Sequence, residues 1–216
     1  MATVPRTSTP ITAQQAAGLL VKAFARRGAV LTRGALSLLL SQLWLETGRG
    51  KNAFNNNWGN LSASSSWEGD RWAAPWANLA EVEALMPGPK QDRYRALHQD
   101  ALAGRQPSAF RSYRTPDDGM ADYADLLMRP RYSALLYAAL TGDPATFTAA
   151  IQSTGYAPAI DVAATTNTIA ALQRELLPYV DAVVPSPAAV GAATKGAVAF
   201  SLAAAAAAVY WLMGRS

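Results

Sequence analysis

Ser41-Gln42-Leu43-Trp44-Leu45-Glu46-Thr47-Gly48-Arg49-Gly50-Lys51 is the stretch on which the reading of this chain turns. Upstream of it, Thr32 has the chemistry of a helix N-cap. Ala35, Leu36, Leu38, Leu39, Leu40, Leu43, Trp44 and Leu45 then cover most of a helix circumference. The spacing predicts a central, buried helix over about residues 33–47, stopped by Gly48 and Gly50. One carboxylate, Glu46, stands at its end, with Gln42, Leu43 and Leu39 beside it one turn back. A carboxyl there loses water and meets the negative end of the helix dipole; both disfavour its charge and raise its pKa. An acid kept protonated near neutral pH is what a glycosidase uses to protonate a leaving oxygen. A structural glutamate paired with Arg49 or with a backbone amide fits the same spacing.

Composition narrows the chemistry around that residue. The chain has 216 residues, 50% hydrophobic and 16% charged, which is enough for a sizeable core and unlike a disordered chain. Cysteine is absent, which excludes disulfides, thiolate zinc sites and a cysteine nucleophile. The single histidine, His98, excludes a metal site built on several histidines and suits a surface or capping place. No metal and no organic cofactor is expected. The net charge of +4 is scattered, with no basic run longer than Arg26-Arg27. No nucleic-acid partner is therefore expected, whereas an anionic wall polymer or membrane fits.

Outward from the central helix the chain divides. Residues 1–10 read as a flexible polar leader without the apolar run of a signal peptide. Thr12 and Gln15 have capping-box spacing before a helix that ends near Gly28. From Lys51 to about Arg105 the helical period is lost, which predicts a loop-rich lobe with a short hairpin and a short helix over about residues 92–103. Helices resume after Thr115-Pro116, over about residues 131–140, after Asp143-Pro144, and from about Asp161 to Leu177, where Pro178 is expected to end the last one. Residues 183–195 form a Pro/Ala/Gly linker. Residues 196–213 carry no charge and as a helix reach roughly 27 Å, enough for a membrane span with Tyr210 and Trp211 at its end.

The quoted stretch resembles the helix-end segment of glucosaminidase-type peptidoglycan hydrolases, glycoside hydrolase family 73. Asn56-Asn57-Trp58-Gly59-Asn60-Leu61 and Ser66-Trp67-Glu68-Gly69 are similar to that family's next two motifs. Phe110-Arg111-Ser112-Tyr113, the run from Gly119 to Leu127, Pro130-Arg131-Tyr132 and Thr154-Gly155-Tyr156-Ala157 resemble its helical second half. The matches fall in order within residues 11–182, the expected domain.

The resemblance implies a mainly α, lysozyme-like α+β fold: a helical bundle around the central helix with a small loop or β lobe. It implies cleavage of β-1,4 bonds in bacterial peptidoglycan, with Glu46 as general acid and Tyr156 lining the opposite side. Glu81 or Glu83 falls where the family often carries a second glutamate, though the sequence around them differs from the family's. Glu68, Asp70 and assistance by the substrate's own N-acetyl group are alternatives. Asn57 and Asn60 are candidates for bonding N-acetyl groups, or for making Asx turns. Tyr123 is a further substrate-binding candidate. Trp58, Trp67 and Trp72 are candidate platforms for sugar rings, or the lobe's own core. The expected setting is the cell envelope, with the C-terminal helix touching membrane, as in a phage or prophage lysis protein. A non-catalytic wall-binding module that anchors an assembly is the alternative.

Overall fold

The computed structural model describes residues 2–64, 66–80, 88–157 and 160–184. In chain order the elements are α1 (Ala13–Ala25), α2 (Arg33–Glu46), β1 (Arg71–Ala73), α3 (Pro89–Leu102), β2 (Ala109–Arg111), α4 (Pro116–Leu127), a 3-10 turn (Pro130–Tyr132), α5 (Ser133–Thr141), α6 (Pro144–Ser153) and α7 (Val162–Asp181). Among the described residues the fold is mainly helical with one two-stranded sheet, in line with the expected helical bundle and small β lobe.

Local chemistry starts the helices where the sequence places them. Thr12 and Gln15 close a reciprocal capping box on α1, and Thr115 and Asp118 do the same on α4. Thr32 caps α2 through Ala35 N, and Asp143 and Asp161 cap α6 and α7. Each such cap contributes about 1 kcal/mol. Leu36, Leu38, Leu39, Leu40 and Leu43 are all fully buried, so α2 has no free face along its middle. It is buried because α1, α5 and α7 surround it, α7 most extensively.

Pro178 does not end the last helix. The helix continues to Asp181 with the proline inside it, although a proline there removes a donor and crowds the carbonyl four residues back. Tertiary contacts offset that cost. Val180 is fully buried in the main core, and Asp181 pairs with Arg33 at the start of α2.

The leader is also not free of the domain. Residues 2–9 run along the lobe: Thr3 bridges Arg71, Val4 N donates to Arg71 O, Thr9 N to Ala53 O, and Asn55 N to Thr7 O. These backbone groups find partners in the lobe that a sequence reading of a polar segment does not reveal.

The lobe has β structure without a local hairpin. β1 pairs antiparallel with β2, setting Trp72 opposite Phe110, and α3 lies between the two strands in sequence. The pairing is driven by a small core of Trp72, Ala74 and Phe110, with Phe54, Trp76 and Val4 packed against it. Trp72 stacks on Phe110 at 4.9 Å between centroids. His98 lies under this core, with Nδ1 2.7 Å from the Trp76 carbonyl oxygen.

The loop from Asn55 to Asn60 joins lobe to body. Asn55, Asn56 and Asn60 take left-handed backbone angles, which asparagine tolerates better than most residues. Asn56 Nδ2 donates to the Tyr113 carbonyl, and the Asn56 carbonyl oxygen rests directly on Gly119 of α4, where a Cβ would overlap it. Among the described residues no helix is long and apolar enough to cross a membrane; residues 196–213 lie outside them.

Candidate active site

Glu46 is the last residue of α2 and is half-buried. Burial pushes its carboxyl above the usual carboxylate range, and a hydrogen bond from Asn60 opposes that rise. Asn60 Nδ2 donates to the Glu46 carbonyl at 3.0 Å and lies 3.4 Å from Oε2. Arg49 is not the partner: it reaches across to Glu175 on α7 instead. Glu46 thus has an amide for company and, among the described residues, no cation.

Two tyrosines lie around this carboxyl. Tyr123, from α4, is fully buried, and its hydroxyl donates to Gln42 Oε1 at 2.9 Å. Tyr156 follows α6; its hydroxyl donates to the Gly59 carbonyl at 3.2 Å, and its ring meets Tyr132 edge-on at 6.0 Å. Desolvation first, and then the nearby charge of Glu46 among other groups, push both phenols well above their ordinary range. Both are therefore neutral donors at any physiological pH. The structure brings together Glu46, Asn60, Tyr123 and Tyr156, all named in sequence, and adds Gln42, Gly59 and Tyr132.

The remaining expectations divide. Asn57 is 1% exposed and clamps its own loop: Nδ2 donates to the Leu61 and Arg111 carbonyls, and Oδ1 accepts from Leu61 N. It has no group left for a sugar, so its part is the turn rather than the substrate. Trp58 is fully buried in the main core and Trp72 almost so in the lobe core; neither offers a ring face as a platform. Tyr123 likewise lies beneath the site, with no surface to offer a sugar. Trp67 is half-exposed, with Arg111 4.6 Å from its ring centroid and Nε1 donating to the Asp70 carbonyl. Glu68 and Asp70 are exposed in the lobe. Glu81 and Glu83 lie outside the described residues.

A bracket that sequence reading missed locks the lobe to α4. Arg111 pairs with Asp122 at 2.6 Å, both largely buried, and the Tyr113 hydroxyl donates to the same carboxylate. The signal was present as a basic strand end followed by an acid on a helix, but nothing local links the two. Gln42 was legible as the polar interruption of an apolar helix one turn before Glu46.

A carboxyl raised in pKa at the end of a buried helix, with neutral phenol and amide donors around it, has the chemistry that glycoside hydrolysis calls for. A family model described as Mannosyl-glycoprotein endo-beta-N-acetylglucosaminidase matches residues 25–174, and the chain belongs to this glucosaminidase family of glycoside hydrolases. Among solved structures the fold resembles a mutant of the peptidoglycan hydrolase from Sphingomonas sp. A1, at 21% identity and a TM-score of 0.50 over 80% of this chain and 99% of that one. The glycoside hydrolase domain of FlgJ from Salmonella typhimurium is similar at 19% identity, with a TM-score of 0.48 over 80% and 93% of the two chains. No curated protein sequence matches the chain.

Proposed function

We propose that this domain cleaves the β-1,4 glycosidic bond that follows N-acetylglucosamine in peptidoglycan glycan strands, with Glu46 as general acid. The observation that carries the reading is the Glu46 carboxyl itself, half-buried, raised in pKa by desolvation, and held by Asn60 rather than by a cation. A carboxyl raised above its ordinary range holds its proton more readily than an exposed one and can deliver it to the leaving oxygen as the bond breaks. The neutral Tyr156 hydroxyl supplies a donor nearby, and Asn60 fixes the direction of the carboxyl. Electron demand at the sugar is met either by a second carboxylate, Glu81 or Glu83, or by the substrate's N-acetyl group. Peptidoglycan as substrate is favoured by the family and by the wall hydrolases among its structural neighbours. In this proposal the domain works at the cell envelope, held at the membrane by residues 196–213, as a lysis protein would be.

The test is clearance of purified peptidoglycan by residues 1–185 and by its Glu46→Gln variant, with mass spectrometry of the new ends. Reducing N-acetylglucosamine ends from the parent, and loss of at least about 10²-fold in the variant, are expected. Reducing or anhydro-muramic ends would reassign the bond. Wall co-sedimentation without cleavage by the parent would leave a binding module. Removing residues after Pro185 should spare hydrolysis of purified wall and abolish lysis from within the cell.

A further inference from the structure

We propose that Gln42 is a positioning residue for Tyr156, the amide that sets the direction in which that phenol donates once the cleft holds substrate. This rests on the hydrolase reading above. Gln42 is 2% exposed, the one buried amide of a helix whose middle is apolar apart from Ser37 and Ser41, one turn before Glu46. A buried amide needs partners at both ends. Its oxygen has one: Tyr123 donates to Oε1 at 2.9 Å. Tyr123 is fully buried and stays protonated beside Glu46, so it must donate and Oε1 must face it. That fixes which way the amide points, since the nitrogen then lies on the opposite side.

The nitrogen is the odd atom. Gln42 Nε2 is buried with no hydrogen-bond partner in the described structure. An apolar side chain of similar length would fill the space without stranding a donor. Tyr156 belongs to the same cluster: it donates to the Gly59 carbonyl, Gly59 packs against the ring of Tyr123, and the Tyr123 hydroxyl holds Gln42, which in turn opposes the rise of the Tyr156 phenol. The Tyr156 oxygen has lone pairs to spare beside its long donation to the Gly59 carbonyl at 3.2 Å. Bonds among catalytic groups are often long in an empty site and tighten around substrate. When Nε2 closes on the Tyr156 oxygen, the phenol O–H turns from the Gly59 carbonyl toward the sugar. The chain of donation then runs Tyr123 to Gln42 to Tyr156 to substrate. Gly59 precedes Asn60, which holds Glu46, so one loop registers both sides of the site.

The test uses the full chain on purified peptidoglycan, reading Tm, kcat and KM. Gln42→Met matches the side chain in length without donor or acceptor. Pairing it with Tyr123→Phe leaves no buried hydroxyl open and protects the fold. Tyr156→Phe alone, and the triple variant, complete a cycle. Expected are a Gln42→Met/Tyr123→Phe protein with unchanged Tm, KM within about 3-fold, and kcat lower by at least about 10-fold. Adding Tyr156→Phe should then cost no further kcat, because both changes deprive the sugar of the same donor, one by leaving it turned to Gly59 and the other by removing it. Full kcat in the double variant, full kcat in Tyr156→Phe, or losses that simply multiply in the triple variant each overturn the inference while leaving the hydrolase reading intact. An inert wild-type chain overturns the hydrolase reading and this inference with it.

Discussion

Asn60 grips Glu46 at two points, donating from Nδ2 to its backbone carbonyl at 3.0 Å and lying 3.4 Å from its carboxylate Oε2. The first contact closes an open carbonyl at the end of α2, and the second favours the ionised carboxyl against desolvation. One side chain therefore both ends the helix and tunes the acid.

Asn60→Gly removes both contacts without adding backbone strain, because glycine accepts the positive φ of 47° at this position. Losing the donor removes the hydrogen bond that lowers the Glu46 pKa. The acid then holds its proton to higher pH, so the alkaline limb of the pH–rate profile should move upward. A profile that moves down or stays fixed would contradict the assignment of Glu46 as the titrating acid.

Glu46→Gln should cost at least about 10²-fold in turnover and still raise stability at neutral pH. The sign follows from linkage: the folded pKa lies above the unfolded one, so ionised Glu46 burdens the fold above its folded pKa. The amide removes that burden. A Tm gain on the order of 2–4 °C is expected at pH 8, shrinking toward zero as pH falls into the ordinary carboxyl range. Equal gains at pH 4 and pH 8 would contradict this.

Gly119→Ala places a Cβ on the Asn56 carbonyl oxygen, an atom of backbone that cannot step aside. Destabilisation of about 1–3 kcal/mol is expected from chemical denaturation, with activity falling as the Asn55–Asn60 loop shifts.

Trp58→Ala should lower stability by about 3–5 kcal/mol, because the ring is fully buried in the main core. Trp67→Ala should change Tm far less, since that ring is half-exposed, and can alter KM. A stable Trp58→Ala protein with a raised KM would restore the platform role.

Deleting residues 2–9 should lower Tm and admit protease to the loop at residues 53–56. Thr7, Thr9 and Pro5 supply partners to that loop which bulk water replaces only with loss of order. A loss of about 1–3 kcal/mol is expected by denaturant unfolding.

The legible parts of the chain were those decided locally. Thr12 with Gln15, Thr32, Thr115-Pro116 and Asp143-Pro144 name helix starts because a cap is satisfied within one turn. The apolar circumference of α2 announced its burial, and Glu46 stood out against it. What stayed hidden depends on distant partners. Trp72 finds Phe110 across α3, and Thr7 finds Asn55; no window of sequence contains both members. Pro178 misled because local propensity favours a stop, and the burial of Val180 outweighs it. At the site, neighbourhood in sequence pointed Arg49 toward Glu46, yet Arg49 takes Glu175 and Asn60 returns from the lobe to take the glutamate. Asn57 and Trp58 shared a motif with Asn60 but face inward, a difference of loop geometry that composition does not encode.

The Arg33–Asp181 pair joins the end of α7 to the first residue of α2, while Glu46 is the last residue of that same helix. Fourteen helical residues at about 1.5 Å each set these two points roughly 20 Å apart. The domain therefore has a working pole and a trailing pole, with a rigid rod between them. Residues 182–184 follow α7 at the Arg33 pole, so a pull applied there is transmitted along the rod rather than across the Glu46 end. In the proposed hydrolase, such a body can meet a rigid glycan mesh with its Glu46 end leading.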